Sequence, residues 1–417
     1  MRPLIVHPPK NKINGDVNLP TSKSMANRYL IIKALSNNLD TEFIPSQSED
    51  SILLHKLLNN LHADIDAGDA GTVYRFLTAF LSCKPGEWNL SGSDRMLERP
   101  IGPLVNALIQ AGANISFSGK TGYPPLKIHG KPLNGGLVKI DGDLSSQFIT
   151  AILLVAPYME QGINLILTSR PSSVPYIQMT IEFMRRLGIS VNWEGDTIVV
   201  EPGVYKENSI KLESDWSAAA FFFELCALSK AASIQIRGLS EESIQGDSRL
   251  WKIMQNFNVD TIFGNSGLHI EKLFSGNQVS NFLMNCNEIP DLVPALVCTC
   301  AGLGIDASFS GIHTLLIKES NRIIALQTEL RKLGLKSDYD AKSDILRIHK
   351  GRLKPYKGTL RTYNDHRIAM SLAPLALVCG ELSLDDGSVV AKSFPSYWEQ
   401  LTKLGFNIED VQVKSEF

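Results

Sequence analysis

The sequence predicts an α/β protein of two lobes that are built from six repeated β/α units, with a shortened N-terminal lobe. Three observations support this prediction: a length of 417 residues, a recurring sequence pattern, and apolar helices that alternate with short strands. A chain of this length exceeds the size at which one hydrophobic core keeps growing, so two domains of about 200 residues are expected.

The recurring pattern is a strand-like run, then a polar segment, then an apolar helix. It occurs at residues 17–23, 139–145, 210–215, 283–288 and 360–365, with a degraded copy before Asp69. Its markers are Thr21, Asp69, Ser145, Asp215, Asp291 and Asp365, at spacings of 48, 76, 70, 76 and 74 residues. The short first interval implies that roughly 25 residues, about a strand pair, are missing from the N-terminal lobe.

A second helix in the units ends at a glycine and is followed by a strand-like run. The glycines are Gly188, Gly334 and Gly405. Glycine at this position is the left-handed cap that ends many helices. Each complete unit is therefore expected to supply a few strands and two helices.

Six units divide naturally into two lobes of three. We predict crossings between the lobes at the polar segments 20–22 and 213–215. The C-terminal lobe then contains residues 1–20 and 214–417, the N-terminal lobe contains residues 21–213, and the active site lies in the cleft between them. The pattern leaves open a single boundary near residue 214, with the first strand kept in the N-terminal lobe.

Composition excludes several classes of partner. Lys and Arg number 41 against 43 for Asp and Glu, so the net charge of -2 offers no general attraction to nucleic acid or to anionic lipid. The longest apolar stretches, 148–159 and 368–379, are shorter than the 18 or so residues of a membrane span. We expect neither a nucleic acid nor a membrane partner, and any anionic ligand must be bound by locally gathered cations.

The six cysteines lie in or beside apolar runs, and the start of the sequence has no signal-like stretch. Cys298 and Cys300 form a Cys-x-Cys, but no second Cys or His pair stands at zinc spacing. These features predict buried thiols, no metal site and a location in the reducing cytoplasm.

Polar residues stand before a helix in every unit, where unpaired N–H groups and the helix dipole favour anions. One such segment alone is explained as a helix cap. Lys23 and Arg28, however, fall in the first turns of a helix, where a cation opposes the helix dipole. A bound anion would resolve that conflict.

Other helix starts carry similar groups. They are Gly71 with Arg75; Arg95 with Arg99 before a proline-initiated helix; Ser145, Ser146 and Gln147; Lys318, Glu319 and Arg322; His366 with Arg367; and Lys392. A surface ion-pair face would explain residues 318–322 taken alone, and an incidental histidine near a cap would explain His366. Their combination indicates an anion-binding site.

Six strings, at residues 20–28, 70–72, 98–102, 143–148, 318–322 and 363–367, follow in order along nearly the whole chain. Together they resemble the EPSP synthase (3-phosphoshikimate 1-carboxyvinyltransferase) family. The resemblance implies a two-lobed inverse α/β barrel of six repeated units. It also implies transfer of the enolpyruvyl group of phosphoenolpyruvate to the 5-hydroxyl of shikimate 3-phosphate, a step of aromatic amino acid biosynthesis, without a metal or organic cofactor.

The resemblance also implies the site residues. Shikimate 3-phosphate would be bound by Lys23, Ser24, Arg28, Ser145, Ser146, Gln147, Ser173, Tyr176, Asp291 and Lys318. Phosphoenolpyruvate would be bound by Lys23, Gly71, Arg75, Arg99, Gln147, Arg322, Arg367 and Lys392. Asp291 would take the hydroxyl proton, Glu319 with Lys23 would handle the methylene proton, and His366 would support the acid.

The sequence departs from the family pattern at three positions. Asp69 replaces the usual Asn, Phe76 replaces the usual Pro after Arg75, and Thr314 replaces an Asn four residues before Lys318. The glycine of residues 70–72 is retained where a larger residue would crowd analogues of phosphoenolpyruvate. We therefore expect glyphosate to inhibit the protein, and we expect a monomer.

Three alternatives are less well supported. UDP-N-acetylglucosamine enolpyruvyl transferase would carry a reactive cysteine in an N-terminal loop, whereas Cys83 ends an apolar helix. The RNA 3'-phosphate cyclase family would require a more basic surface. A non-catalytic anion-binding relative is favoured only by Asp69 and Thr314, while all four acid–base candidates are present.

Overall fold

The structure is a computed structural model that describes residues 2–40, 42, 44–143, 145–207, 210–273 and 279–411. These residues fall into two compact units. We call Thr21–Leu212 the central unit, and Met1–Pro20 together with Glu213–Phe417 the discontinuous unit. In the part of the chain described, no helix is both long enough and apolar enough to span a bilayer.

Helices and short strands alternate along the chain. The strands are β1 Leu4–His7, β2 Ile13–Asn18, β3 Asp64–Asp66, β4 Gly86–Ser91, β5 Asn114–Phe117, β6 Leu126–Gly130, β7 Gly136–Ile140, β8 Ile163–Leu167, β9 Val191–Glu194, β10 Thr197–Val200, β11 Ala232–Arg237, β12 Val259–Gly264, β13 Gly267–Lys272, β14 Asn281–Asn285, β15 Asp306–Ser310, β16 Ser337–Asp340, β17 Ile345–Ile348, β18 Thr359–Leu360, β19 Leu382–Leu384 and β20 Asn407–Asp410. The α-helices are α1 Lys23–Leu35, α2 Glu49–Asn59, α3 Gly71–Cys83, α4 Asp94–Leu97, α5 Gly102–Gln110, α6 Ser146–Val155, α7 Val174–Arg186, α8 Trp216–Leu228, α9 Leu250–Met254, α10 Val293–Leu303, α11 Arg322–Lys332, α12 His366–Leu372, α13 Ala376–Cys379 and α14 Tyr397–Lys403. Short 3-10 helices lie at Ala156–Tyr158, Gly246–Arg249, Gln255–Phe257, Pro290–Leu292, His313–Ile317, Ala373–Leu375 and Ser388–Lys392.

The strands form sheets that share one topology. The central unit contains the sheets β3-β4-β6-β5 and β7-β8-β10-β9, and the discontinuous unit contains β12-β13-β11-β2, β14-β15-β17-β16 and β18-β19-β1-β20. In each sheet one edge pair is parallel and the other pairs are antiparallel, as in β7 parallel to β8 and β8 antiparallel to β10. A parallel pair needs a crossover, which α6 supplies between β7 and β8. The predicted α/β architecture of repeated units is confirmed.

The first two strands complete sheets whose other strands come from the second half of the chain. β1 pairs with β19 and with β20, and β2 runs parallel to β11, with Ile13 opposite Ala232. These pairings make the N-terminal segment part of the discontinuous unit.

The first repeat of the central unit consists of α1 and α2. The described residues between 22 and 63 contain no strand. The hydroxyl of Ser51 on α2 donates a 2.7 Å hydrogen bond to Asn27 Oδ1 on α1, so the two helices are joined through buried polar groups. The predicted shortening is confirmed, but it removes more strands than predicted. The described residues of this repeat lack three strands that the other units have, instead of a pair, because three strands of four or five residues fit within about 25 residues.

Glycines end the second helices of three units, as predicted. Gly188, Gly334 and Gly405 follow α7, α11 and α14 with φ angles of 83°, 84° and 92°. This left-handed conformation costs a glycine little and stops the helix. The proline in the first turn of α5 is Pro103.

Candidate active site

The predicted site residues occur in both units, and each set is described separately. The central unit contains Lys23, Ser24, Arg28, Gly71, Arg75, Arg99, Ser145, Ser146, Gln147, Ser173 and Tyr176. The discontinuous unit contains Asp291, Lys318, Glu319, Arg322, His366, Arg367 and Lys392.

Helix N-termini position most of the central set. Helices α1, α3, α6 and α7 begin at or beside predicted residues. Ser145 caps α6 by accepting a 3.3 Å hydrogen bond from the backbone N–H of Gln147. Ser173 precedes α7 in the left-handed region, with φ 55° and ψ 42°, and its side chain does not cap the helix. Few non-glycine residues adopt this conformation, and such positions are enriched at functional sites.

Arg75 and Gln147 are joined into one polar network. Arg75 Nη1 donates to Gln147 Oε1, and Gln147 Nε2 donates a 3.0 Å hydrogen bond to the hydroxyl of Thr72. The guanidinium carbon of Arg75 lies 5.3 Å from the ring centroid of Phe148. These contacts fix the amide orientation and hold the cation over an apolar ring.

Gly71 allows Arg99 to lie against the start of α3. A Cβ atom on residue 71 would be 2.6 Å from Arg99 Nη1, which is too close for any real contact. Arg99 is buried, and its Nε has no hydrogen-bond partner among the residues that the structure describes. A cation and a helix N-terminus therefore meet at one point, which makes that point attractive to an anion.

Lys23 is paired with a residue that sequence reasoning missed. Its Nζ lies 2.9 Å from Asp50 Oδ2, and both side chains are largely buried. Asp50 stands in the first turn of α2, where an acidic residue is ordinary because it favours the helix dipole. Nothing in its sequence neighbourhood distinguished it from Glu49.

Arg28 is one of the most buried cations in the central unit, with 3% of its surface exposed. Its Nε donates to the Thr180 hydroxyl at 2.8 Å, Nη1 to the Ser24 carbonyl at 2.7 Å and Nη2 to the Tyr176 carbonyl at 2.9 Å. Burial lowers the pKa of Arg28 to about 10, which still leaves it charged at neutral pH. All these partners are neutral.

The unusual carboxylate of Asp69 is hydrogen-bonded within the central unit. Ser93 donates its hydroxyl to Asp69 Oδ1, and the same Ser93 oxygen accepts a 3.3 Å bond from the backbone N–H of Met96. The carboxylate thus has a partner next to α4, which explains how the chain accommodates it.

In the discontinuous unit Asp291 is surrounded by cations. Its carboxylate lies 2.9 Å from Arg367 Nη2, 3.2 Å from Arg322 Nη1 and 3.7 Å from Lys318 Nζ. Burial raises the pKa of Asp291, but the charges of Arg367, Lys318 and Arg322 outweigh burial and hold the pKa well below its ordinary value. The carboxylate is therefore ionised and able to accept a proton.

Arg322 is held by carboxylates on several sides and is only 1% exposed. Besides Asp291, it contacts Asp365 through Nε at 2.9 Å and Glu319 through Nη2 at 2.8 Å. Burial lowers the pKa of Arg322, but these carboxylates more than reverse the effect, so its pKa is raised. Its position is fixed before any ligand binds.

His366 opens α12 beside Asp365, with 3.9 Å between Nδ1 and the nearer carboxylate oxygen. Asp365 caps that helix by accepting a 3.0 Å bond from the backbone N–H of Arg367. Tyr363 and Asn364 precede it in the left-handed region. Lys392 is mostly buried at the end of a 3-10 helix before α14.

Two further polar groups lie near this set. Asp247 is buried and accepts a hydrogen bond from the Ser217 hydroxyl; burial, with the negative charge of Asp291, raises the pKa of Asp247 to about 7. Sequence reasoning missed Asp247 because a single acidic residue before a helix carries no distinctive signal. The hydroxyl of Thr314 is buried and has no partner within the described part of the chain.

The family model and the relatives that resemble this chain carry the same name. Residues 46–401 match the model of the EPSP synthase (3-phosphoshikimate 1-carboxyvinyltransferase) family. A protein of Bacteroides fragilis strain YCH46 named 3-phosphoshikimate 1-carboxyvinyltransferase is 39% identical over 411 residues, covering 98% of this chain and 99% of its own length. One of the same name from Shewanella piezotolerans is 32% identical over 425 residues, covering 95% and 98%.

Solved structures resemble the chain over its whole length. An EPSP synthase structure from Acinetobacter baumannii superposes with a TM-score of 0.76 and 22% sequence identity, covering 99% of this chain and 100% of that one. A second one from the same organism gives a TM-score of 0.74 at 21% identity. At this identity the superposition establishes the fold.

Proposed function

Because the chain belongs to the EPSP synthase (3-phosphoshikimate 1-carboxyvinyltransferase) family, we propose that it transfers the enolpyruvyl group of phosphoenolpyruvate to the 5-hydroxyl of shikimate 3-phosphate. The products are 5-enolpyruvylshikimate 3-phosphate and phosphate. The observation that carries the proposal is the ionised carboxylate of Asp291, which lies within 3.7 Å of three cationic side chains. This arrangement offers a base beside groups that attract anions.

The first half of the reaction joins the two substrates. The shikimate 5-hydroxyl attacks C2 of phosphoenolpyruvate while the methylene carbon gains a proton, which gives a tetrahedral ketal. We assign Asp291 to take the hydroxyl proton, because it is ionised and only 18% of its side chain is exposed. Lys23 and Glu319 are the candidates to deliver the methylene proton.

The second half breaks the bond from C2 to the phosphate oxygen and removes a proton from the new methyl group. The departing phosphate carries the negative charge, so nearby cations lower the barrier. Arg322 and Arg367 are held by carboxylates and need little reorganisation to serve this purpose. His366, buried beside Asp365, is placed to support the acid.

Binding of the substrates is assigned to the helix starts. We propose that Ser145 and Ser146, with Ser173, bind the phosphate of shikimate 3-phosphate. The same substrate would also be bound by Ser24, Arg28, Gln147, Tyr176 and Lys318. Phosphoenolpyruvate would be bound by the cations Lys23, Arg75, Arg99, Arg322, Arg367 and Lys392, with Gly71 and Gln147. The buried Arg99 beside Gly71 supports the second assignment.

Three further assignments belong to the same proposal. The six cysteines are free thiols, which suits the reducing cytoplasm. One chain carries candidates for every role above, so we propose a monomer. Glyphosate, an analogue of phosphoenolpyruvate in charge, is proposed as an inhibitor because Gly71 lets the cation of Arg99 lie against the start of α3, where an anion would bind.

The test is phosphate release by the purified protein with shikimate 3-phosphate and phosphoenolpyruvate, each omitted in turn. We expect release only when both are present. Release with UDP-N-acetylglucosamine as acceptor and none with shikimate 3-phosphate would contradict the proposal. Binding of both substrates without release would show that the site is present but does not catalyse the reaction.

A further inference from the structure

We propose that Phe76 is a positioning residue whose ring holds the guanidinium of Arg28 in the orientation that binds the phosphorylated substrate. The proposal rests on the function proposed above and adds a residue to it. Phe76 stands on α3, one residue after Arg75.

The contact itself is a buried cation–π pair. The guanidinium carbon of Arg28 lies 5.8 Å from the centroid of the Phe76 ring. Separations within about 6 Å are attractive, and the attraction is stronger where water is excluded. Phe76 is 1% exposed and Arg28 is 3% exposed, so this pair is almost completely desolvated.

Hydrogen bonds fix the edge of the guanidinium but do not neutralise it. Its donors reach Ser24 on α1, Thr150 on α6, and Thr180 and Tyr176 on α7. None of these groups is charged. The ring on α3 adds a contact to the guanidinium that is not a hydrogen bond.

An aromatic ring can hold an arginine in place without cancelling its positive charge, whereas a carboxylate cancels that charge. In the discontinuous unit, Arg322 and Arg367 are held by Asp365 and Asp291, and these acids also cancel the positive charge. A ring attracts the cation through its quadrupole and leaves the net charge in place. Arg28 can therefore be held in position and still attract an anion with its full charge.

The proposal predicts an effect on substrate binding and little effect on kcat. Weakening the ring's attraction lets Arg28 sample other orientations, so part of the binding energy must restore the productive one. The dissociation constant of shikimate 3-phosphate and its KM should rise. The value of kcat at saturation should change little, because Arg28 is not assigned to proton transfer.

The experiment replaces Phe76 with 4-fluoro-, 3,5-difluoro- and 3,4,5-trifluorophenylalanine in the full-length chain. Fluorine withdraws electron density from the face of the ring and changes the shape of the side chain little. We expect the calorimetric Kd for shikimate 3-phosphate to rise stepwise, by about three- to tenfold for the trifluoro variant. We expect kcat to stay within about twofold.

Phe183 provides the matched control. It is also fully buried in the central unit, on α7, and no cation lies over its ring in the described structure. The same fluorinated series at Phe183 should leave the Kd for shikimate 3-phosphate unchanged. In an Arg28→Gln background, fluorination of Phe76 should also leave that Kd unchanged, since the ring then has no cation to hold.

Two results would overturn the proposal. One is a lower melting temperature with an unchanged Kd, which would make Phe76 a packing residue only. The other is a stepwise rise in Kd that persists in Arg28→Gln. Failure of the proposed function would be seen separately, as no phosphate release by the unmodified chain, and the calorimetric series with shikimate 3-phosphate, which needs no turnover, would still decide the role of Phe76.

Discussion

The roles proposed for Asp291 connect binding to chemistry. Its carboxylate lies within 3.7 Å of Arg367, Arg322 and Lys318, the cations that we assign to the substrates. An anionic substrate must therefore share these cations with Asp291. As it does so, the carboxylate loses part of the charge that holds its pKa low, and it becomes a stronger base when it is needed.

The first prediction concerns Asp291→Asn. The variant keeps the shape of the side chain but cannot accept a proton, so kcat should fall by about 100- to 10,000-fold. Steady-state phosphate release and calorimetric binding of shikimate 3-phosphate would measure the two effects. Asp338→Asn, an exposed carboxylate beside His349, is the control and should keep full activity. An unchanged kcat in Asp291→Asn would exclude Asp291 as the base.

A second prediction concerns Gly71→Ala. The new methyl group would lie 2.6 Å from Arg99 Nη1, so the arginine must move. Because a displacement of about 1 Å can cost about 100-fold in efficiency, KM for phosphoenolpyruvate should rise by about 10- to 100-fold. KM for shikimate 3-phosphate should change little, and the glyphosate concentration for half inhibition should also rise. Gly119→Ala, where the nearest atom is 3.6 Å away, should behave like the parent.

At the scale of elements, α1 and α2 stand without the strands that accompany the other helix pairs. Polar contacts hold them together instead: Ser51 to Asn27 and Lys23 to Asp50. The ion pair with Asp50 on α2 holds Lys23, a predicted catalytic residue on α1. The pairing of these helices therefore determines where Lys23 points.

Asp50→Asn and Glu49→Gln test that connection. Both substitutions remove one negative charge from the first turn of α2, so their effects on the helix dipole are equal. Of these two carboxylates, Asp50 is the one that forms an ion pair with Lys23. We expect kcat/KM to fall by about 10- to 100-fold in Asp50→Asn and to stay near the parent value in Glu49→Gln. Equal losses in both variants would show that helix stability alone is responsible.

Helix α8 buries a carboxyl group in the core of the discontinuous unit. Glu224 is fully buried, and neither of its carboxyl oxygens has a hydrogen-bond partner among the described residues. Burial raises its pKa well above the ordinary value, so the folded state holds the proton of Glu224 more tightly than the unfolded chain does.

A pH-dependent stability follows from this carboxyl group. Because its folded pKa is raised, its contribution is most favourable below the ordinary pKa of 4.5 and is lost as pH rises, at about 1.4 kcal/mol per pH unit. Glu224→Gln should remove this loss, so its melting temperature relative to the parent should be higher at pH 8 than at pH 5. The exposed Glu399→Gln should show no such difference. A constant offset for Glu224→Gln would contradict the raised pKa.

The sequence was most informative where a local rule operates. Gly188 and Gly334 ended helices because few other residues adopt their φ angles, and the helix starts at Lys23 and Gly71 followed from their polar neighbours. Asp50 was not predictable, because its role depends on a residue on another helix. The number of missing strands was underestimated since spacing reports only how many residues are absent.

At the scale of the whole molecule, the discontinuous unit depends on the first residues of the chain. β1 lies between β19 and β20 in its sheet, so it holds both in place. β2 forms the edge beside β11. The central unit uses none of these strands for its own sheets.

Deletion of residues 1–12 should therefore have a localised effect. Without β1, β20 loses its only strand neighbour in the described sheet, and β19 loses one of two. Hydrogen exchange should show lost protection at Leu382–Leu384 and Asn407–Asp410. Peptides from α3 and α6 in the same sample serve as the control and should keep their protection. Uniform loss across both units would show that the two units do not unfold independently.

The pairing of β2 with β11 has a consequence for synthesis on the ribosome. Ile13 leaves the ribosome long before its partner Ala232, and at 5 to 20 residues per second the wait is about 10 to 45 seconds. During that interval the complete sequence of the central unit emerges, while β1 and β2 have no strand to join. The polar residues Lys10, Asn11 and Lys12 and the low apolar content of β2 make this waiting segment a poor edge for other nascent chains. We therefore expect the central unit to fold first and the N-terminus to join the discontinuous unit afterwards.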